Sequence, residues 1–111
     1  MDVSNYAIID VDALNENTMS DSALQQELFA IFFEQSDVYL AQMAEAIEAD
    51  DAEAWRMTAH GIKGVARALG LVRIEKLSHA CENGTFTQAA FESLAKLVAQ
   101  AREHLETRMA A

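Results

Sequence analysis

Apolar residues recur at helical spacing in four successive stretches of the chain, and this constrains the fold more than any other feature. Trp55, Ala59, Ile62, Ala66 and Leu69 step by 4, 3, 4 and 3 residues. That pattern lines one face of a helix with 3.6 residues per turn. The stretch before it carries Leu24, Leu28, Ile31/Phe32, Tyr39, Met43 and Ile47 and ends near Ala49. At 1.5 Å per residue it makes a helix about 40 Å long. A shorter helix follows with Ile74, Leu77 and Cys81 inward, and a last one with Phe91, Leu94, Val98, Ala101 and Leu105. There is no proline and there are only four glycines, so few strand corners are available. The expected fold is all-α: an antiparallel four-helix bundle with a short additional N-terminal helix around Ile8–Leu14. The 111 residues suit a single domain, 1–111, that buries its core without metal or disulfide.

Capping signals predict the helix ends. Asp10 suits the start of the lead helix. Ser22 with Gln25, Asp50 with Glu53 and Thr85 with Gln88 each have capping-box spacing, predicting three further starts. Gly70 suits a left-handed stop for the third segment, and Asn83-Gly84 a stop for the fourth.

Charge narrows the function. The net charge is −10, divided unevenly: residues 1–55 hold thirteen acids and no Lys or Arg, while residues 56–111 hold eight bases and five acids. A chain this acidic is not expected to bind nucleic acid or an anionic membrane. From Ala54 to Ile74 there is no carboxylate, yet Arg56, Lys63, Arg67 and Arg73 lie there. This predicts one basic patch for an acidic or phosphorylated partner. The single cysteine cannot form an internal disulfide, and the N-terminus has no signal-like block, so a cytoplasmic setting is expected. No apolar run approaches the roughly 18–20 residues that span a bilayer.

Arg56, His60, Lys63, Gly64 and Arg67 share one face of the third helix. Ile62 lies about 200° around the helix from His60, so His60 is expected to point away from the core. Gly64 sits mid-helix, where it costs about 1 kcal/mol relative to alanine, and close approach of another molecule would justify it. Neutral imidazole is a good nucleophile near pH 7, and the nearby cations are expected to favour that form. They would also attract a phosphoryl group and offset its charge during transfer. The constellation therefore suits phosphoryl transfer or anion binding.

Ala59-His60-Gly61-Ile62-Lys63-Gly64, with Gly70 ten residues after the histidine, resembles the histidine-containing phosphotransfer (HPt) motif AHxLKGxxxxxG. The likeness extends over roughly residues 8–105. Ile9-Asp10 with Leu14, and Glu27-Leu28-Phe29 with Phe32-Phe33-Glu34, resemble the family's opening helices. Leu77 to Glu82 resembles the helix after the motif. The resemblance implies a phosphorelay carrier in which His60 is the phosphoacceptor, Lys63 assists electrostatically and Gly64 gives space. It implies as partners receiver domains of a hybrid histidine kinase and of response regulators, which hold Mg²⁺ in an acidic pocket. The carrier itself would need no cofactor and would be a monomer. Val65 and Arg67 stand where the family often has small or polar residues, which bears on partner preference. No ATP-binding kinase domain is read in the sequence, and the chain is expected to be a free-standing carrier, with a domain excised from a longer protein as the alternative.

Phe29, Phe33 and Leu40 form a second apolar strip on the long helix. It packs on a neighbouring helix or forms a docking patch beside His60; in the second case Phe33, with Arg56 and Arg67, binds the partner. No metal site is expected: His79 and Cys81, two apart, diverge on a helix, and Asp50-Asp51 reads as a cap. A non-catalytic adaptor bundle with His60 incidental is the alternative function. A dimeric kinase phosphotransfer domain is a third.

Overall fold

The computed structural model describes residues 1–110. They form five helices: α1 (Val11–Thr18), α2 (Ser22–Ala49), α3 (Ala52–Ala68), α4 (Val72–Glu82) and α5 (Gln88–Ala110). Connections of two to five residues make the successive helices α2 to α5 antiparallel. The long dimension of 41 Å matches the 28 residues of α2, about 42 Å at 1.5 Å each. α3 packs on α2 and α4, α5 packs on the same two, and α3 and α5 stand diagonally apart. The fold is therefore an all-α four-helix bundle, with α1 lying across the ends of α2 and α3.

The α3 stripe is buried as its spacing predicts: Trp55, Ala59, Ile62, Ala66 and Leu69 all lie in the core. Ile74, Leu77 and Cys81 enter from α4, and Leu94, Val98, Ala101 and Leu105 from α5. Phe91 is only half-buried, and Ala90 beside it takes the inward position. On α2 the core stripe differs from the expected one. Phe29, Phe32, Ser36, Met43 and Ala46 are buried, while Leu24, Leu28, Tyr39 and Ile47 flank them and Ile31 faces outward. α2 touches three other helices, so apolar residues on both flanks find partners and the stripe broadens. Ser36 enters the core because its hydroxyl donates to the Phe32 carbonyl at 2.7 Å, which satisfies it locally.

Three predicted caps are displaced by one or two residues, because several polar residues cluster in each turn and the chain reversal decides which of them is left to cap. Met19 and Ser20 are left-handed, so Asp21, not Ser22, caps α2 through its bond from Leu24 N–H. Asp50 is also left-handed and closes α2, leaving Asp51 to accept from Ala54 N–H and open α3. Thr85 uses its carbonyl to accept from the Trp55 indole N–H at 2.9 Å, and Thr87 accepts from Ala90 N–H at the start of α5. Asp10 caps α1 as expected. Gln25, freed from capping, donates to Asn15 Oδ1 and Thr18 Oγ1 and ties α2 to α1.

Gly70 has φ +72° and ends α3, and a Cβ there would sit 2.5 Å from the Asp10 carbonyl oxygen. That close approach lets Asp10 N–H donate to the Gly70 carbonyl at 2.7 Å, while Asn17 donates to Ala68 O at 2.9 Å. Arg73 fastens the segment before α1 by donating to the carbonyls of Tyr6 and Ser4, and Val3 and Ile9 join the core.

Candidate functional site

α3 and α4 are joined by a three-residue turn and run side by side, so residues a fixed distance before and after that turn meet. His60 and Arg67 are seven apart on α3, and Glu75 and Glu82 are seven apart on α4. Seven residues are two helical turns, so each pair shares one face. The antiparallel register then brings Arg67 to Glu75, 2.9 Å between Nε and Oε2, and His60 to Glu82.

His60 points out of the bundle as expected, with its side chain 66% exposed. Its Nδ1 lies 2.7 Å from Glu82 Oε1. An ionised carboxylate can only accept, so Nδ1 carries the proton and the neutral ring keeps its lone pair on Nε2. Glu82 Oε2 is shielded from water and faces Lys63 Nζ at 2.5 Å. Lys63 is correspondingly only 15% exposed. The Lys63 ammonium, and after it the His60 ring, hold the Glu82 carboxyl below its ordinary 4.5. Glu82 thus bridges the two α3 side chains from the last residue of α4.

Gly64 is open: a Cβ built there meets nothing within 4 Å. Helix packing therefore does not require this glycine, and its bare surface lies one turn from His60. Gly61 differs, since a Cβ there would touch the Tyr39 ring and hydroxyl at 3.5 to 3.6 Å.

The basic patch is not free of carboxylates in space. Arg56 is held by Glu53 at 2.6 Å, Lys63 by Glu82 and Arg67 by Glu75. Arg73 faces the N-terminal segment and Gln100 instead. The basic stretch of the sequence is therefore paired in space: Glu53 on α3, and Glu75 and Glu82 on α4, supply the acids that residues Ala54–Ile74 lack. Arg56 and Arg67 remain at the surface one to two turns either side of His60, 49% and 64% exposed.

Phe33 is not brought to His60. It is half-buried on the α2–α5 side, which is opposite the α3–α4 side in the bundle. Its ring contacts Phe29 and Phe32, and the Arg102 guanidinium covers it at 5.1 Å. Glu82 is the site residue the sequence reading missed; its seven-residue spacing from Glu75, beside inward Ile74 and Cys81, was the available signal. Cys81 is buried, and burial pushes its thiol up to about 11, so it is unreactive. His79 stands exposed against Asn83. Among the described residues no group of three or more His, Cys, Asp or Glu could hold a metal, and no described helix is long and apolar enough to cross a membrane.

The helical bundle thus presents the outward His60 beside a lysine and a bare glycine. The family profile of the Hpt domain matches residues 27–110, and the chain belongs to that family. It is 28% identical over 103 residues to Sensor protein EvgS of Escherichia coli O157:H7, covering 93% of this chain and 9% of that protein. The same identity holds over 100 residues of Sensor protein EvgS from Escherichia coli strain K12, covering 90% of this chain and 8% of the relative. The chain thus spans about a tenth of the length of these relatives. It is a phosphorelay Hpt domain.

Proposed function

We propose that the chain is a phosphocarrier in a multistep two-component phosphorelay, moving a phosphoryl group between receiver-domain aspartates through His60. The observation that carries this reading is the His60 ring: exposed, with Nδ1 engaged by Glu82 and Nε2 left as the nucleophile. In the forward step the Nε2 lone pair attacks phosphorus of a receiver's aspartyl phosphate. The bond from phosphorus to the aspartate oxygen breaks, and its electron pair leaves with the carboxylate. Nδ1 keeps its proton throughout. No ATP-binding domain is needed, because transfer between two activated carriers is mainly positioning and charge.

Lys63 is the cation that offsets charge on the transferring group, exchanging its contact with Glu82 for one with the phosphoryl oxygens. Gly64 gives the incoming group room. Arg56 and Arg67 flank the face and can trade Glu53 and Glu75 for acids of a receiver pocket, where the receiver holds its own Mg²⁺. The carrier works as a cytoplasmic monomer without a cofactor of its own.

The test is incubation with phosphorylated receivers. The expected result is acid-labile, base-stable phosphate on the wild type and none on His60→Gln. An unlabelled wild type across several receivers, or label that persists on His60→Gln, overturns the reading.

A further inference from the structure

Glu82 has so far explained the unphosphorylated ring, but its place in the bundle does not depend on what Nε2 carries. Nδ1 and Nε2 lie on opposite sides of the imidazole, and Glu82 approaches only Nδ1, from the end of α4. A phosphoryl group on Nε2 would leave that contact intact. We propose that Glu82 is a positioning residue for the return step: its carboxylate keeps Nδ1 of phosphorylated His60 protonated and so sets the lifetime of the phosphohistidine. This inference rests on the phosphocarrier reading above.

The chemistry follows from the leaving group. When the phosphoryl group departs, the Nε2–P bond breaks and its electron pair stays on Nε2. A new P–O bond forms to a receiver aspartate, or to water when the group is lost by hydrolysis. With Nδ1 unprotonated the ring would leave as imidazolate, a strong base and a poor leaving group. With Nδ1 protonated it leaves as neutral imidazole. A negative charge bonded to Nδ1–H favours the protonated ring.

The groups around the ring make Glu82 the controlling one. α4 contributes Glu82 and, one turn earlier, His79, which lies against Asn83. α3 contributes Lys63, held on the other Glu82 oxygen, and Arg56, which Glu53 engages. α2 contributes Tyr39, whose hydroxyl lies beside Gly61. Glu82 is the carboxylate bonded to the ring, and it shares its charge with Lys63. When Lys63 turns to the phosphoryl oxygens, that charge is left to act on Nδ1–H alone.

Glu82→Gln separates charge from geometry, because the amide oxygen can still accept from Nδ1–H. The wild type and Glu82→Gln proteins would be phosphorylated with potassium phosphoramidate, which needs no receiver, and phosphohistidine decay followed by ³¹P NMR across pH 5–9. The variant's lifetime should lengthen about tenfold near neutral pH, with its lifetime–pH profile displaced about one pH unit toward acid. Transfer from the variant to a receiver should slow in parallel. A merely structural effect would change lifetime without moving the profile along the pH axis, and circular dichroism on both proteins checks the fold. Equal lifetimes at every pH on two labelled proteins would overturn this role for Glu82 and leave the phosphocarrier reading standing. A wild type that neither phosphoramidate nor a receiver labels at His60 would overturn both.

Discussion

Gly64→Ala should make the protein more stable and a poorer carrier at once. The two effects come from separate features of one position. An exposed glycine inside a helix costs about 0.8–1.0 kcal/mol relative to alanine, because it has more backbone freedom to lose on folding. The added Cβ meets nothing within 4 Å, so no packing penalty offsets that gain. The unfolding entropy of a 111-residue chain then converts the gain to a rise in Tm of about 4 °C. The new methyl, however, stands one turn from His60, on the surface the transferring group and its receiver must approach. Transfer should fall by about tenfold with alanine and further with Gly64→Gln, whose side chain reaches the ring from the i+4 position. Differential scanning calorimetry gives the first number, and timed transfer from a phosphorylated receiver gives the second. A Tm that drops on Gly64→Ala would mean the glycine is required by the fold. A raised Tm with unchanged transfer for both variants would mean the open surface plays no part in the reaction.

Four further outcomes follow from the same geometry. Lys63→Ala should slow transfer by about tenfold to a hundredfold with an unchanged circular dichroism spectrum; unaltered single-turnover rates would remove Lys63 from the reaction. Gly70→Ala should destabilise by at least about 2 kcal/mol, since the left-handed φ and the Asp10 carbonyl both oppose a Cβ; a urea midpoint equal to the wild type's would refute this. The depressed Glu82 carboxyl stabilises the fold above pH 4.5 and loses that contribution as pH falls through its folded value, so the Tm gap between wild type and Glu82→Gln should close below pH 4.5; a constant gap would show no linkage. Phe33→Ala should cost about 2 kcal/mol of stability by opening the packing under Arg102 while transfer is maintained; the reverse pattern would make Phe33 a docking residue.

Much of the bundle was legible because periodicity reports burial directly. The α3 stripe and the inward residues of α4 follow from spacing alone, as does the outward direction of His60. α2 was harder to read. It has three neighbours, so its apolar residues surround more than one face, and a hydroxyl that bonds its own backbone can replace an apolar residue at Ser36. The caps were misplaced because polar residues cluster in these turns and local spacing does not say which of them the reversal uses. At the site, the sequence placed Arg56, His60, Lys63 and Arg67 on one helix face correctly. It could not show that α4 sets Glu75 and Glu82 against them, since that depends on the register between two helices. The apparent basic stretch was a property of one segment, and the electrostatics of the site belong to two.

The fastening of the N-terminal residues to the α3–α4 turn bears on how this unit can be cut out of a longer polypeptide. The family match begins at Glu27, partway into α2. The backbone bond from Asp10 to Gly70, the grip of Arg73 on Ser4 and Tyr6, and the buried Val3, Ile9 and Leu14 all lie before it. A fragment started at Glu27 would expose the apolar end that these residues stopper and leave the Gly70 carbonyl without its donor. The segment recognisable as a family and the segment that folds as a body are therefore not the same length. An excision that respects the physics begins before Val3.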